Sequence, residues 1–518
     1  MYRYLDSSDF RIRRNGTPVV TAPTGNGKTT FVVRGKLVEL LTRKLGCIFN
    51  TTLVLEANSA TSEQLENDGI ERVSGAEIMD LPHGTYTACF STLSNLLADG
   101  NKPRLRGLVV VDEADELGRW SLCHKGNAAA WSYLLSKHEA GELSLVLLTA
   151  TPRLLLEYMP QDFGFYDATP HVPLKYHAGH INLVPRASNK TVLRYLDISK
   201  DNKVLVYVRE AGRAERLCSW LNSRGIKSVF LVSQYNEKVD KETGKTLAQK
   251  MNEQTVADKR GFSDVRSYIL QNKCFPEDVD VVIINDALAT GVTIQDEKVR
   301  TVVVESTELE TVEQVLGRMR QDVDNLFVCY NKKERSRIEC AVAEYNQAIG
   351  GSWLERLEQQ NVAAKAGNKV SYIVYRDVLT DEVRINPFAH ATYQEQLDAQ
   401  RMLFGRDSKW QAPAYWQALV EHSISGFTYL DKEDLLAAAR NKENASCFDM
   451  RPWLNRKLFA ADKKELAEAM AMRTKKRERA SWTTAKKTLK ELGYQITDSK
   501  TRVDGKQVRY TIIAEPQG

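Results

Sequence analysis

The chain has 518 residues and a formal net charge of +5, with 42% hydrophobic and 27% charged residues. This is the composition of an ordinary globular protein, and the length accommodates about three or four domains of ~150 residues. No apolar run reaches the ~18 residues of a membrane span, the first residues do not resemble a signal peptide, and the eight cysteines lie singly. We therefore expect a cytoplasmic protein with neither a zinc ribbon nor a disulfide framework.

The first predicted elements are a β-rich run at Pro18–Thr21 and a helical segment from Thr29 onwards, joined by a glycine-rich loop. In this context the loop can direct backbone N–H groups at a triphosphate, with a lysine for the phosphates and a hydroxyl for Mg²⁺. Ala22 stands where the general pattern has glycine. The predicted nucleotide-binding residues are Thr24, Gly25, Asn26, Gly27, Lys28, Thr29 and Thr30, with Thr29 also a Mg²⁺ ligand.

Apolar strand-like runs alternate with helical stretches from about residue 16 to 155, which indicates a parallel sheet covered by helices on both faces. One of these runs, Leu108–Val111, leads into the sequence Asp-Glu-Ala-Asp. Carboxylates at the carboxyl end of such a strand face the nucleotide crevice. We expect Asp112 to hold Mg²⁺ and Glu113 to orient or deprotonate the attacking water. Other strands are predicted at Val19–Thr21, Leu53–Glu56, Thr87–Phe90 and Leu145–Leu148.

The proline-containing segment Thr151–Lys190 is predicted to be a linker and the entry to a second α/β unit. That unit has a predicted helix at Ala211–Asn222, so two similar lobes follow each other in tandem. Beyond residue 332 the pattern changes to long helices around a hairpin at Val370–Asn386, without a recognisable chemical motif. Strands of the second lobe are predicted at Lys203–Val208, Ser228–Val232, Val279–Ile284, Val299–Val304 and Leu326–Cys329.

The positive charge is concentrated at the end of the chain, where Arg451–Gly518 has 17 Lys and Arg against 8 Asp and Glu. An amphipathic helix is predicted there between Ser481 and Gly493, followed by a hairpin that turns at Asp504–Gly505. A helix with a basic ribbon resembles a winged helix, which favours DNA as the partner, with protein docking as the alternative. Predicted DNA contacts are Lys486, Lys487, Lys490, Arg502 and Lys506, next to the run Arg473, Lys475, Lys476, Arg477 and Arg479.

Taken in chain order, the motifs of residues 16 to 330 resemble those of the superfamily 2 helicases. Leu148–Pro152 resembles the Thr-Ala-Thr motif of that family, which couples hydrolysis to the grip on nucleic acid. Lys203–Val208 looks like motif IV and Asn285–Ile294 like motif V. The resemblance implies coupling roles for Asp115, Thr149 and Thr151, a nucleic-acid contact for Thr290 and a nucleotide contact for Gly291.

Residues 314–321 resemble motif VI of the same family, which implies catalytic roles for Gln314, Arg318 and Arg320. A cation that reaches the γ-phosphate from across a cleft is worth ~10³–10⁵ in rate, and Arg318 is the first choice for it. The family usually places its second arginine three positions after the first, where this chain has Gln321, and the role of Arg320 stays open. By the same resemblance, 57–64 and 91–92 correspond to motifs Ia and Ib, which touch the nucleic-acid backbone.

We therefore expect two RecA-like lobes at 1–160 and 161–335, a mainly helical accessory region at 336–446, and a basic winged-helix-like domain at 447–518. The Thr-Ala-Thr-Pro and Gln-x-x-Gly-Arg-x-Arg sequences look more like phage branch-migration and herpesvirus origin-binding DNA helicases than like DEAD-box RNA helicases. The expected function is ATP- and Mg²⁺-dependent unwinding or remodelling of single-stranded, forked or branched DNA, with replication or recombination proteins as further partners. An ATP-gated origin-binding protein and an RNA helicase are the alternatives.

Overall fold

The computed structural model divides the chain into two compact units, one made of Met1–Ile181 and Ser199–Phe427, the other of Asn182–Ile198 and Thr428–Gly518. The structure describes residues 17–22, 27–46, 48–57, 59–122, 124, 126–158, 163–167, 177–185, 187–234, 236, 238–240, 243–254, 264–285, 292–330, 334–366, 371–404, 423–446, 448–470, 472, 481–503 and 506–516.

The first lobe, residues 17–167, is built on a parallel sheet. Its strands are buried on both faces because helices cover each side, and all six residues of Thr51–Glu56 are buried. The neighbouring strands Gly107–Val111, Leu143–Thr149 and Thr17–Thr21 end at one edge of the sheet. Ala22, the Asp-Glu-Ala-Asp sequence and Thr149 therefore come together there. The strand order is Glu71–Arg72, Gly84–Cys89, Thr51–Glu56, Gly107–Val111, Leu143–Thr149, Thr17–Thr21 and Phe163–Asp167.

The second lobe, residues 199–330, repeats this architecture, and the two sheets confirm the tandem α/β lobes that the alternation of elements predicts. Its neighbouring parallel strands are, in order, Ser228–Phe230, Val281–Ile284, Lys203–Val208, Val299–Glu305 and Val323–Tyr330. The strands Ala178–Pro185 and Phe427–Tyr429 each cross a boundary between the two units. Helices of the two lobes are Lys28–Val33, Lys36–Leu45, Ser59–Asn67, Gly75–Ile78, Phe90–Ala98, Ala114–Trp120, Asn127–Glu139, Arg153–Glu157, Ala211–Asn222, Leu247–Asn252, Val265–Asn272 and Leu309–Gly317.

The first part of the segment Thr151–Lys190, which is predicted to be a linker, has regular secondary structure and belongs to the first lobe. It contains the helix Arg153–Glu157, and the strand Phe163–Asp167 pairs in parallel with Thr17–Thr21. The described prolines lie where proline is tolerated, since Pro152 caps that helix and Pro185 ends a strand. Proline content therefore misled the prediction for these residues. Phe90 likewise begins a helix rather than ending the preceding strand.

The accessory region contains the helices Glu334–Gly350, Trp353–Lys365 and Pro387–Phe404, and the predicted hairpin is present as Val374–Arg376 and Val383–Ile385. The last of these helices is called the accessory helix below. Phe388 and Ala391 on this helix are buried in the same hydrophobic cluster as Trp131 of the first lobe. The region is therefore built into the core of the first lobe rather than attached to its surface.

The second unit packs helices and a hairpin around their own core, in which Trp453, Leu466, Leu489 and Ile513 are buried. The predicted helix and ribbon are present as Trp482–Glu491 and the antiparallel pair Gln495–Val503 and Lys506–Ala514. Residues 473–480 and the Asp504–Gly505 turn lie outside the described residues. Further elements are Asn189–Tyr195, Lys432–Ser446, the 3₁₀ turn Arg451–Trp453 and Ala460–Ala469.

The helix Asn189–Tyr195 belongs to this unit rather than to the second sheet, because Arg194 forms a two-point ion pair with Glu443 and Asp197 pairs with Lys442. The four domain ranges expected from sequence stay predictions. Within the described part of the chain, no helix combines the length and the apolar character needed to cross a bilayer.

Candidate nucleotide and hydrolysis site

Lys28 opens the helix after the phosphate loop and is 7% exposed. Gly27 before it has φ 81°, a left-handed conformation that favours glycine. The Lys28 amine donates to the Ala22 carbonyl at 2.9 Å. Burial lowers the pKa of Lys28. The carboxylates of Glu113 and Asp112 oppose this shift, and the charges of Arg318 and Arg320 add to it. Thr24, Gly25 and Asn26 lie outside the described residues, and Thr30 is exposed on the helix.

Asp112 and Glu113 follow the buried strand Gly107–Val111, as predicted. The Thr29 hydroxyl donates to Asp112 Oδ2, which brings the two expected Mg²⁺ ligands into contact. Burial and the neighbouring Glu113 raise the pKa of Asp112, against the effect of Lys28. Glu113 has φ 50°, which is strained for a residue with a side chain and typical of functional sites.

Asp115 is fully buried and accepts hydrogen bonds from both lobes. Thr149 and Thr151 donate their hydroxyls to it, the latter at 2.6 Å. Gln314 of the second lobe donates Nε2 to Asp115 at 3.2 Å and to Thr151 Oγ1 at 3.4 Å. The structure therefore brings together the three residues expected to couple the lobes and the expected catalytic glutamine.

Arg318 ends the helix Leu309–Gly317, here called the arginine helix, and is 5% exposed. Its Nη2 lies 3.4 Å from Glu113 Oε1, and its Nε donates to the Gln314 carbonyl at 3.2 Å. Arg320 donates Nη1 to the Gly317 carbonyl at 3.1 Å and is half-buried. A guanidinium of the second lobe thus reaches the first lobe's carboxylate, while Thr290 and Gly291 lie outside the described residues.

These residues fit a magnesium nucleotide. Glu113 Oε2 is buried and has no hydrogen-bond partner among the described residues, which suits an acceptor reserved for a bound group. Across the described ranges, no cluster of three or more His, Cys, Asp or Glu is arranged to hold a metal. Mg²⁺ needs no such cluster beside a nucleotide, since it takes one or two protein oxygens and completes its shell with phosphates and water.

Sequence reasoning missed Glu56, a buried carboxylate at the end of the strand beside Gly107–Val111. Burial and Asp112 raise its pKa well above the ordinary value. A sequence signal for Glu56 was available, because a charged residue that ends a buried strand lies at the same edge of the sheet as the other site residues.

The segment expected to form motif Ia also bridges the lobes. Glu63 accepts from Gln234 at 2.8 Å and pairs with buried Arg266 at 3.1 Å. Ser91 and Thr92, the expected motif Ib residues, are half-buried at the start of Phe90–Ala98. Their contact to nucleic acid stays a prediction.

The predicted contacts of the second unit differ in how accessible their charge is. Lys486 is ion-paired with Asp498, and Lys487 lies 3.8 Å from Glu491. Lys490, Arg502 and Lys506 are exposed.

No protein-family model matches the chain. Similar solved structures include S. cerevisiae Dbp5 bound to RNA and ADP BeF3, with 14% identity over 62% of this chain and 80% of that chain and a TM-score of 0.40. Mss116p bound to ssRNA and AMP-PNP is 14% identical to this chain, with a TM-score of 0.40. The match covers 81% of this chain and 89% of Mss116p. A DEAD box protein from Methanococcus jannaschii is 17% identical to this chain, with a TM-score of 0.30. The match covers 62% of this chain and 84% of that protein. Likenesses at this level assign neither activity nor substrate.

Proposed function

We propose that the chain is an ATP-dependent superfamily 2 helicase or translocase that acts on DNA in replication or recombination. The observation that carries the proposal is that Arg318 of the second lobe lies 3.4 Å from Glu113 of the first. Nucleotide hydrolysis is catalysed mainly by positioning and by neutralising charge on the transferred phosphoryl group. A phosphate loop, two carboxylates and an arginine from the facing lobe supply those parts.

Each residue has a separate role in this proposal. Lys28 and the loop backbone bind the phosphates of ATP, and Thr29 with Asp112 holds Mg²⁺. The metal neutralises phosphate charge when it is bound. Glu113 accepts a proton from the attacking water or orients it, and Arg318 approaches from the second lobe. Arg318 contacts Glu113 directly, so nucleotide binding has to exchange this pair for contacts with phosphate.

Asp115 links hydrolysis to movement of the lobes. It accepts from Thr149 and Thr151 of its own lobe and from Gln314 of the other. A change at the phosphate that shifts the arginine helix also shifts this shared acceptor. Closure on ATP and opening after hydrolysis would move nucleic acid that spans both lobes.

Charge on the hairpin of the second unit supports a nucleic-acid partner. Lys500 and Arg509 face each other directly in the antiparallel register, and Arg502 lies on the same face. All three are exposed. Like charges placed opposite each other destabilise a strand pair, so folding alone does not favour this arrangement. A polyanion bound on this face would remove the repulsion.

The ATPase proposal is tested by measuring turnover with forked, branched, duplex and single-stranded DNA and with RNA. Lys28→Ala is expected to abolish turnover, and Glu113→Gln to retain ATP without hydrolysing it. Lys36→Ala is the matched control, because Lys36 is an exposed lysine on the next helix. Normal turnover in purified Lys28→Ala would refute the assigned site. Stronger stimulation by RNA than by any DNA would identify the RNA helicase alternative.

The proposed binding of DNA by the hairpin of the second unit is tested separately. The variant for this test carries Lys500→Ala, Arg502→Ala and Arg509→Ala. Each lost phosphate contact should reduce the slope of log K against log salt by ~0.9 on duplex DNA. The control replaces the exposed lysines Lys200, Lys298 and Lys464 with alanine. Equal DNA affinity and equal salt slope in the two variants would exclude the hairpin as a DNA-binding site. Preference for one sequence by ~1–3 kcal/mol per base pair would favour the origin-binding alternative.

A further inference from the structure

A buried ion cluster lies beside the hydrolysis site and joins three separate parts of the chain. Its centre is Arg119, on the helix Ala114–Trp120 that comes directly after Glu113. The Arg119 side chain is 9% exposed, and the carboxylates around it are 10% exposed or less. These carboxylates lie at 3.1 Å (Glu395), 3.5 Å (Glu308), 3.6 Å (Glu310) and 4.0 Å (Glu116).

The partners of Arg119 are placed where they can set the position of the arginine helix. Glu308 caps that helix and Glu310 lies in its first turn, while Gln314 and Arg318 lie further along it. The cluster therefore ties the helix behind the catalytic carboxylate to the helix that carries the arginine. It makes this connection at the end of the arginine helix opposite Arg318.

The accessory helix supplies the third part of the cluster and is fixed to the first lobe. Phe388 packs against Gly118 so closely that a Cβ there would lie 2.3 Å from Phe388 Cδ1. Asn386 donates Nδ2 to Ser121 Oγ at 3.0 Å. These contacts place the start of the accessory helix on the residues that flank Arg119.

Farther along, the accessory helix reaches the second lobe. Gln396 donates Nε2 to Glu308 Oε1 at 2.7 Å, and Gln400 donates Nε2 to Thr307 Oγ1 at 3.0 Å. All four side chains are buried. One rigid helix thus contacts both lobes within four turns, on the side of the site where Arg119 lies.

We propose that Arg119 is a positioning residue for nucleotide hydrolysis and that the accessory helix is a working part of the motor. Together they hold the start of the arginine helix so that Arg318 reaches Glu113. The inference rests on the proposed ATPase function and deepens it, because it assigns a role to a region without a chemical motif. Among the described residues, the ion-pair partners of Arg119 are four carboxylates without an expected nucleotide contact, so Arg119 acts by positioning the arginine helix.

The electrostatics of the cluster support this role. Burial alone would lower the pKa of Arg119, but Glu395, Glu310, Glu308 and Glu116 raise it well above its ordinary value, so the residue stays charged. Burial raises the pKa of Glu395 well above the ordinary value, and the charge of Arg119 opposes this shift. The Arg119 charge also lowers the pKa of Asp115. The charge of the cluster is therefore felt at the carboxylate that couples the lobes.

The cluster is in ionic contact without being fully hydrogen-bonded. Arg119 Nε and Nη1 have no hydrogen-bond partner within the described part of the chain. Buried donors without partners are rare in proteins, and a partly satisfied network can change partners at low cost. Such a network suits a contact that tightens or loosens as the lobes close and open.

The test compares Arg119→Ala, Arg119→Lys and the pair Gln396→Ala with Gln400→Ala in the full chain. We expect kcat for nucleic-acid-stimulated ATP hydrolysis to fall 10- to 100-fold in Arg119→Ala and at least 5-fold in the glutamine pair. The Kd for a non-hydrolysable ATP analogue should change less than 2-fold. Arg119→Lys should recover part of kcat, because lysine keeps the charge but cannot contact several carboxylates at once. The matched control is the double variant Gln347→Ala with Gln359→Ala, because both glutamines are exposed and lie on neighbouring helices.

A readout independent of activity is amide hydrogen exchange over the arginine helix. Exchange of Leu309–Gly317 should accelerate at least 10-fold in Arg119→Ala and in the glutamine pair, while Ala211–Asn222 of the same lobe stays unchanged. If Arg119→Ala does not fold, the glutamine pair carries the test, since Glu308 keeps its pairs with Arg119 and Arg209. Unchanged kcat together with unchanged exchange in that pair would overturn the inference. Absence of ATPase activity in the wild type would refute the proposed function, and hydrogen exchange would still decide whether the accessory helix holds the arginine helix.

Discussion

Asp115→Asn is predicted to uncouple the lobes without destabilising the protein at neutral pH. Burial and Glu113 raise the pKa of Asp115 to about 6, while Arg119 and the threonine hydroxyls lower it. Because this value lies above the ordinary 3.8, the folded protein holds the proton more tightly than the unfolded chain does. The stability from this group is therefore present below pH 4 and is lost as the pH rises through 6.

The size of the two opposing effects can be worked out from the contacts. Ionising this buried carboxyl costs about 3 kcal/mol at pH 7, and asparagine avoids that cost because it does not ionise. Against this, the single acceptor oxygen of asparagine must serve Thr149, Thr151 and Gln314. At least one buried donor loses its partner, at a cost of about 1–3 kcal/mol. The net change in unfolding free energy at pH 7 is expected to stay within about 2 kcal/mol of zero.

The assay measures thermal unfolding midpoints of wild type and Asp115→Asn between pH 5 and 8, together with stimulated ATPase rates. Relative to the variant, the wild type should lose stability as the pH rises through the lower part of this range. The stimulated kcat of the variant should be at least ~10-fold lower, which corresponds to a loss of about 1.4 kcal/mol of transition-state stabilisation. Asp324→Asn is the control, because that carboxylate is exposed and pairs with exposed Arg300. Parallel pH profiles in the two proteins would refute the buried-carboxylate reasoning, and an undiminished ATPase would refute the coupling role.

Three further outcomes are expected. Arg318→Ala should lower kcat by ~10³–10⁵, whereas replacing the exposed Arg300 with alanine should not. An effect confined to KM would contradict the assignment of Arg318 as the cation that reaches the γ-phosphate. Gly118→Ala should destabilise the first unit by about 1–3 kcal/mol through overpacking against Phe388, whereas Gly350→Ala, where a Cβ meets open space, should be neutral in denaturant unfolding. Leu489→Ala should destabilise the second unit by about 2–5 kcal/mol and spare ATPase activity without nucleic acid; loss of that activity would show that the unit is needed for hydrolysis itself.

The parts of the site that depend on local structure were predictable from the amino-acid sequence. Lys28, Thr29, Asp112 and Glu113 come shortly after buried strands, and the residues after the strands of a parallel sheet lie together at one edge. The tandem lobes were equally readable, because a buried strand shows as a continuous apolar run. The motif resemblance also selected Gln314 and Arg318 as catalytic residues, and the structure brings both to the first lobe.

Which charged side chains meet depends on the three-dimensional fold. Arg318 and Glu113 are 205 positions apart, and Arg119 and Glu395 are 276 apart. The accessory helix reads in sequence as an ordinary helix of mixed polarity, so nothing local marks Phe388 as core or Glu395 as the partner of a buried arginine. Partner choice at that distance is set by strand order and by how helices pack on the sheet. Spacing along the chain records neither, which is why Glu308, Glu310 and Glu395 were identified as partners of Arg119 only in three dimensions.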